Sequence, residues 1–465
     1  MRRTLAAVLL LVVGLATAGG ASSQVAPPPR FAAALELFEA ERYDEAAEAF
    51  EAAYAYGPAR WATAAQVMRG KAFYRAGQFD QAEFILHSFL EAHPNSRYAD
   101  DARATLDFAR AALAMLQQRP RSLGVILSLN GEEAAQSQAI FNGIRMAVDE
   151  ANQSATGSNR TRLVFRDIGA DAAGAGRAVR SLADEGVGVI LGALFSDQAR
   201  EAAAAAEARR VVFVAPLATD DRVSRNSPVA FQANPTIEVR GRVLARFAVN
   251  GLLLRRFGIL LGYDSQGISQ AMAEAFQDEV ERLGSEVVFF ETLQSASDWS
   301  RLPDMLDPEG LSRARGLFVP LSGRQPERQA NSLIQALESL GADLRVLGNA
   351  EWHQLPLGPG ADPYGVTYTN DFRVDPSDRT TAAFLRNHRT RFGSEAGRLA
   401  HVGYDVTRFV ISAMSGQSTP FDVADALRTA APFEGTGMRI DFHGGQVNEA
   451  MYYQRYRDGL IDLLR

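Results

Sequence analysis

The sequence predicts two structural classes in one chain, an all-α segment near the amino terminus and a larger α/β domain after it. From Phe31 to about Gln118 the chain is rich in alanine, and apolar residues recur at the i, i+3, i+4 spacing of a buried helix face. After Pro120, short β-rich runs alternate with amphipathic helices, as in a parallel sheet with crossover helices. With 465 residues and 47% hydrophobic content, the chain is long enough for about three domain-sized units.

The first 18 residues have the features of a secretory signal peptide. Arg2 and Arg3 precede an apolar run from Leu5 to Leu15, and Ala16-Thr17-Ala18 offers a small-residue cleavage site. The alternative is a membrane anchor, but the run is shorter than the roughly 20 residues of a spanning helix. A lipid anchor would need a cysteine, and the chain has none. We expect a soluble protein that is periplasmic or otherwise exported and not lipid-anchored, with residues 19–30 as a linker and no membrane span after cleavage.

The helical segment, residues 31–118, contains an internal repeat. Tyr43, Ala46 and Pro58 recur as Phe79, Ala82 and Pro94. This spacing resembles the tetratricopeptide repeat, whose unit of about 34 residues places small residues where paired helices cross. A further helix, Arg97 to Leu116, is expected to cap the stack. As a module the segment is predicted to dock a protein partner, although its aromatic residues could equally form its core: Phe38, Tyr43, Phe50, Phe73, Tyr74, Phe79, Phe84 and Phe89.

The α/β domain is predicted to begin at residue 121. Long helices separate its apolar runs, at lengths suited to right-handed crossovers: Ala139–Gln153, Gly174–Glu185 and Gln266–Leu283. The predicted strands are Leu123–Leu127, Arg162–Arg166, Val187–Leu191, Val211–Ala215, Arg256–Leu261, Glu286–Phe290, Gly316–Pro320 and Arg345–Gly348.

Several short motifs in this domain occur in the order and at the spacing of a known family. They are Asn130-Gly131, Gly143–Asn152, Arg166-Asp167, Gly186–Gly192 with Ser196, Ala215–Thr219, Phe257 to Asp264, Gly403–Val406 and Phe433–Gly437. The chain from residue 121 to 465 resembles a type I periplasmic binding protein of the leucine/isoleucine/valine-binding kind. The resemblance implies two doubly wound lobes joined by three crossovers near Arg240, Asp371 and Gly437. Lobe 1 would hold about 121–240 and 371–436, and lobe 2 about 241–370 and 437–465.

The candidate ligand site is expected between the lobes, beyond the carboxyl ends of the strands. In lobe 1, Ser196 and Thr219 follow predicted strands, where hydroxyls and helix N–H groups can hold a carboxylate. The alternative is that both residues are ordinary helix N-caps. Leu217 and Ala218 would offer backbone groups beside them. The family uses matching positions for the α-carboxylate of an amino acid.

The lobe 2 side of this site departs from the family. Gln266 stands where the family usually has an aromatic residue, and the loop Pro320-Leu321-Ser322 lacks another. Glu351 is a candidate for binding a ligand ammonium, or else a solvated loop charge. Trp352 and His353 beside it could line the cleft or pack on the surface.

Composition excludes several chemistries. Lys71 is the only lysine and cysteine is absent, so P-loop, Schiff-base and thiolate chemistry are not expected. The six histidines lack metal-ligand spacing, and no nucleophile elbow is present. We therefore expect neither an enzyme nor a cofactor or metal. A net charge of −7 argues against a nucleic-acid partner.

Two functions remain open. The first is a solute-binding protein that traps an amino acid or similar small polar ligand for ABC-type uptake or sensing, with a permease or sensor as its protein partner. The second is an envelope scaffold with a vestigial cleft, similar in architecture to the activators of penicillin-binding proteins, with a cell-wall synthase as its partner. A complete amino-acid clamp favours the first function. A degraded clamp behind a repeat module favours the second.

Overall fold

The computed structural model describes residues 26–118, 121–129, 131–262 and 267–464. The chain divides into two units, Met1–Arg119 and Pro120–Arg465. We call them the helical unit and the α/β unit. The expected signal peptide lies outside the described residues.

Within residues 26–118, the described part of the helical unit, the chain forms five helices. Proline opens the first helix, and Gly77 ends the third in the left-handed conformation (φ 80°) that glycine adopts without strain. Small residues allow the helices to approach: Ala46, Ala65 and Ala82 are fully buried. The helices are α1 (Pro29–Glu39), α2 (Tyr43–Tyr56), α3 (Ala59–Ala76), α4 (Phe79–Ala92) and α5 (Ala99–Gln118).

The aromatic residues of the helical unit divide between its core and its surface. Phe50 and Phe89 are fully buried. Phe84, by contrast, is 70% exposed, so the reading of this side chain as core is wrong. Phe108 and Tyr56 are also exposed. Lys71 joins α3 to α5 through an ion pair with Asp101 (2.5 Å between Nζ and Oδ2).

Lobe 1 of the α/β unit is built on a five-stranded parallel sheet in the order β2-β1-β3-β4-β5. Strands β3 and β4 are buried along their whole length, as expected for a parallel sheet covered on both faces. The strands are β1 (Arg121–Leu127), β2 (Thr161–Asp167), β3 (Val189–Gly192), β4 (Val212–Ala215) and β5 (Ala230–Gln232).

Helices cover both faces of the lobe 1 sheet. One face packs against α6 (Ala134–Ser154), α15 (Arg398–Met414) and α16 (Pro420–Thr429). The other packs against α7 (Ala172–Asp184) and α8 (Ser196–Arg209). A further helix, α14 (Arg379–Phe392), packs on α6 and α15.

Lobe 2 is built on a seven-stranded sheet in the order β14-β13-β10-β9-β8-β6-β7. Strands β13 and β14 come from the end of the chain. β13 runs antiparallel to β10, and β14 runs antiparallel to β13. The strands are β6 (Arg256–Leu261), β7 (Glu286–Thr292), β8 (Gly316–Val319), β9 (Arg345–Gly348), β10 (Thr367–Asn370), β13 (Tyr452–Arg457) and β14 (Leu460–Leu464). Its helices are α9 (Ile237–Arg246), α10 (Ile268–Arg282), α11 (Leu302–Met305), α12 (Pro308–Arg313) and α13 (Pro326–Ser339).

The chain returns to lobe 2 later than the expected crossover near Gly437. Between the lobes' elements lie two short paired strands, β11 (Phe433–Glu434) and β12 (Arg439–Ile440). Met438, Ile440 and Phe442 belong to the lobe 1 core. Asn448 still contacts lobe 1, because its backbone N–H donates to the backbone carbonyl of Gln232 at 2.9 Å. The apolar residues after Gly437 therefore extend lobe 1, and the third crossover follows Asn448.

Helices α6 and α15 cross through two glycines. A Cβ on Gly143 would lie 2.0 Å from Ala400 O, and a Cβ on Gly403 would lie 2.1 Å from Ile140 O. Both distances are shorter than any real contact. The crossing therefore requires glycine on both helices.

We predict that Gly143→Ala destabilises the protein by about 3 kcal/mol, because the added methyl group must push two buried backbones apart. Urea unfolding would measure the change. Gly358→Ala is the matched control, since a Cβ there meets nothing within 4 Å. An equal loss in both variants would contradict the close crossing.

Candidate ligand-binding site

The loops after β3 and β4 meet at Ser196. The chain turns sharply after β3, with Gly192 at φ 132° and Ala193 at φ 43°, and Ser196 is the first residue of α8. Its Oγ accepts hydrogen bonds from the backbone N–H groups of Thr219 (3.2 Å) and Asp220 (3.3 Å). The structure thus places the Ser196 hydroxyl, at the start of α8, beside Thr219. Both residues are partly exposed.

The backbone carbonyls of Leu217 and Ala218 are already engaged. Asn234 Nδ2 donates to Leu217 O at 2.9 Å, and Gln232 Nε2 donates to Ala218 O at 3.0 Å. The side chains of Asn234 and Gln232 are both buried, and their hydrogen bonds hold the loop after β4 in place. These two carbonyls therefore stabilise the loop after β4 itself. Among the side chains of the loops after β3 and β4, the hydroxyls of Ser196 and Thr219 remain as candidates for binding a ligand.

On lobe 2, the turn after β9 separates the predicted residues. Glu351 is exposed, and the structure gives it no hydrogen bond or ion pair with any described residue. Trp352 is fully buried, and its Nε1 donates to Val319 O at 2.9 Å. Trp352 is thus part of the lobe 2 core, neither cleft nor surface. Gln266 lies outside the described residues.

Two further residues shape this turn. Asn349 ties it to the loop after β8, because its side chain both accepts from Leu321 N (3.1 Å) and donates to Leu321 O (2.9 Å). His353 lies 2.9 Å from the Tyr368 hydroxyl through Nδ1, and burial lowers the pKa of His353. The turn that presents Glu351 is therefore held on both sides.

An ion-pair cluster joins the first two crossovers. The Asp371 side chain, 1% exposed, follows β10 and accepts from Arg240 Nη2 (2.6 Å) and Arg398 Nη2 (2.8 Å). Burial opposes ionisation, but the charges of the two arginines outweigh it and lower the pKa of Asp371. The sequence predicts crossovers near Arg240 and Asp371 but indicates no role for either residue. The only signal was an opposite charge at each crossover.

A second buried carboxylate holds the segment after β11. Asp405 accepts from the backbone N–H groups of Thr436 (2.8 Å), Gly437 (2.9 Å) and Met438 (3.0 Å), and from the Thr436 hydroxyl (3.0 Å). A Cβ on Gly437 would lie 2.3 Å from Phe372, the residue after Asp371. The motifs Gly403–Val406 and Phe433–Gly437 therefore meet beside the second crossover.

His401 completes this region. It is 1% exposed, its Nδ1 lies 2.7 Å from Thr436 Oγ1, and its ring packs against Phe384. Burial, and then the nearby His388, lowers the pKa of His401 to about 4. The imidazole is thus neutral in the folded protein at neutral pH.

A family model described as "Periplasmic binding protein" matches residues 120–459. The chain belongs to the periplasmic binding protein family. A tetratricopeptide repeat model matches residues 37–106. The α/β unit is thus a periplasmic binding protein domain, and tetratricopeptide repeats precede it.

Named relatives share the α/β unit. The Leu/Ile/Val-binding protein of Escherichia coli (strain K12) is 23% identical over 330 residues, which cover 70% of this chain and 86% of the relative. An ABC transporter substrate-binding protein from Desulfitobacterium hafniense, solved in complex with Leu, is 21% identical, with a TM-score of 0.53 over 74% of this chain and 100% of that one. A substrate-binding protein from Sphaerobacter thermophilus is 17% identical, with a TM-score of 0.53 over 74% and 96%.

In the part of this periplasmic binding protein that the structure describes, no helix has the length and hydrophobicity to cross a bilayer. Over the same residues, acidic and histidine side chains form no group of three that could hold a metal ion.

We predict that Asp371→Asn costs about 3 kcal/mol of unfolding free energy, because it leaves two arginines without their shared buried carboxylate. Guanidinium unfolding would measure it. Asp425→Asn removes a carboxylate that is 78% exposed in its pair with Arg428, and we expect this control to change stability by under about 1 kcal/mol. Equal effects would contradict a special role for Asp371.

The pH dependence of stability provides another test. Since the pKa of His401 is lowered from 6.5 to about 4, the unfolded chain takes up its proton first as the pH falls. Stability from this group is complete above pH 6.5 and falls by about 3 kcal/mol on the way to pH 4. His401→Gln should flatten the curve of unfolding free energy against pH in this window. The same measurement on His93→Gln, which replaces an exposed histidine without an ion pair among the described residues, is the control.

Proposed function

We propose that this periplasmic binding protein is exported and, without catalysing a reaction, binds an amino acid or a similar small polar solute between its lobes. The observation that carries the proposal is the Ser196 hydroxyl at the start of α8, 3.2 Å from the Thr219 amide. A helix N-terminus with hydroxyl groups beside it favours a carboxylate, through unpaired N–H groups and the helix dipole. The name of the Escherichia coli relative points to the same class of solute.

In this proposal the two lobes bind opposite ends of the solute. Ser196 and Thr219 hold the carboxylate, with the Leu217 and Ala218 backbone beside them. Glu351, exposed and without a cationic partner among the described residues, takes the ammonium group. Closure of the lobes about the crossovers, where Arg240, Asp371 and Arg398 meet, traps the solute for ABC-type uptake or for sensing.

A second candidate function is supported by different observations. The engaged carbonyls of Leu217 and Ala218 leave fewer groups for a ligand than an open clamp would. The helical unit exposes Tyr56 (77%), Phe84 and Phe108 (63%), which a protein partner could cover. On this alternative the protein is an envelope scaffold, similar to the activators of penicillin-binding proteins, and its cleft is vestigial. A permease or sensor is the partner in the first case and a cell-wall synthase in the second.

Thermal unfolding against a panel of amino acids, short peptides and cell-wall fragments tests the two functions. A ligand at 100 times its Kd should add about 2.7 kcal/mol, which raises Tm by a few degrees. We expect one amino-acid-like compound to do so, and the double variant Ser196→Ala/Thr219→Val to abolish the shift.

The control is Ser339→Ala/Thr390→Val. It removes two hydroxyls that bond only to helix carbonyls, at 2.8 Å and 2.9 Å, and it should keep the ligand shift. Because Ser196 also supports the loop after β4, the decisive quantity is the shift on adding ligand and not the Tm of the free variant. If no compound moves Tm, the solute-binding proposal fails and the scaffold is favoured.

A further inference from the structure

Lobe 2 has a cavity of about 570 Å³ at the edge of its sheet opposite to the candidate ligand site. The parallel strands begin at this edge, whereas the candidate ligand site lies where they end. We call the cavity the arginine basin, after six of its lining residues: Arg255, Arg256, Arg315, Arg345, Arg455 and Arg457. A volume of this size suits a small molecule.

The order of strands in the sheet creates the row of arginines. Arg256, Arg315 and Arg345 stand at or just before the first residues of β6, β8 and β9, which are neighbours in the sheet. Their backbones are joined directly, since Arg315 N donates to Arg256 O (2.9 Å) and Arg345 N donates to Arg315 O (3.0 Å). Neighbouring strands lie about 4.8 Å apart, so the three backbones follow one another closely along this end of the sheet. Arg345 pairs with Gly316 and not with Arg315, so its side chain leaves the opposite face of the sheet from those of Arg256 and Arg315. The basin is therefore lined by arginines from both faces.

The antiparallel strand β13 completes the basin. It runs against β10, so its carboxyl end reaches the edge at which the parallel strands begin. Arg455 and Arg457 are two residues apart on this strand and therefore lie on the same face. Arg455 Nε is 3.3 Å from Thr367 Oγ1, at the start of β10.

Carboxylates neutralise little of this charge. Asp343 and Asp362 are the acidic residues of the lining, which leaves a surplus of four positive charges. Arg457 pairs weakly with Asp462, at 3.7 Å. For the other five arginines, no carboxylate among the described residues lies within ion-pair distance.

Some of these guanidinium groups are held in place by the backbone. Arg255 Nη1 donates to Val249 O at 2.8 Å, and Arg315 Nη1 donates to Ala314 O at 2.9 Å. Burial, and then the positive charges of Arg345 and Arg457, lowers the pKa of Arg455. Like charges therefore face one another in a protein whose net charge is −7, and an anion in the basin would relieve their repulsion.

We propose that the arginine basin binds a soluble anion that carries two or three linked phosphate groups. The planar guanidinium donates two parallel N–H bonds to phosphate oxygens. At neutral pH two linked phosphate groups carry about three negative charges and three carry about four, which balances most or all of the surplus of the lining. Carboxylate metabolites of similar size carry fewer charges. The basin is thus a second binding site, separate from the solute site between the lobes.

Isothermal titration of the full chain with sodium tripolyphosphate tests this site. We expect saturable binding that weakens as NaCl rises, and at least a tenfold loss of affinity in Arg315→Gln/Arg455→Gln. A second variant, Arg256→Gln/Arg345→Gln, should show the same loss, so that one poorly folded variant does not decide the result. Arg324→Gln/Arg328→Gln is the control, since it removes two exposed charges from lobe 2 outside the basin.

Several results would overturn the proposal. They are the absence of tripolyphosphate binding, equal losses in the basin and control variants, citrate binding as tightly as tripolyphosphate, and binding of phosphatidylglycerol vesicles in place of tripolyphosphate. The outcome is independent of the solute site. Ser196→Ala/Thr219→Val should bind tripolyphosphate as the wild type does, whether or not an amino acid binds between the lobes.

Discussion

The carboxylate of Asp405 is the contact on which the centre of the α/β unit depends. From one helix of lobe 1 it satisfies three consecutive backbone N–H groups of Thr436–Met438, a segment without a helix or long strand to pair them. Buried N–H groups left unpaired would each cost about 1 to 3 kcal/mol. Because Gly437 then packs on Phe372, the same carboxylate also fixes the chain beside the second crossover. One buried group therefore fixes two segments that are far apart in the sequence, the chain after β10 and the chain after β11.

Local sequence patterns predicted much of the fold. The runs at β1, β3, β4, β6 and β8 are continuous apolar stretches flanked by polar turns, so periodicity alone identifies them. β13 escaped prediction because Gln454 and two arginines interrupt its apolar residues, and because its partner β10 is far away in the chain. The third crossover was misplaced because the apolar residues Met438 to Phe442 find their partners in lobe 1, which no local signal records.

The candidate site was predictable in part for the same reason. Ser196 and Thr219 follow strands, and the carboxyl ends of parallel strands lie at one edge of a sheet. The sheet topology therefore predicts that these two residues lie close together. The engagement of Leu217 O by Asn234 depends on where β5 is added to the sheet, and the sequence around Leu217 contains no trace of it. Trp352 was ambiguous because its neighbour Glu351 is exposed. Only the packing against Gly348 and Val319 shows that the indole turns inward.

The glycine crossing of α6 and α15 has a consequence for how the chain acquires its structure. These helices are far apart in the chain, and most of lobe 2, from β6 to β10, lies between them in the sequence. During synthesis, the face of α6 around Gly143 therefore stays exposed to solvent until α15 has been made. Contacts between distant segments form slowly, and apolar surface exposed in the meantime attracts other chains. Lobe 2 has a similar dependence, because β13 joins its sheet only when the final residues are available. This unit cannot complete either lobe on the ribosome before translation is nearly finished.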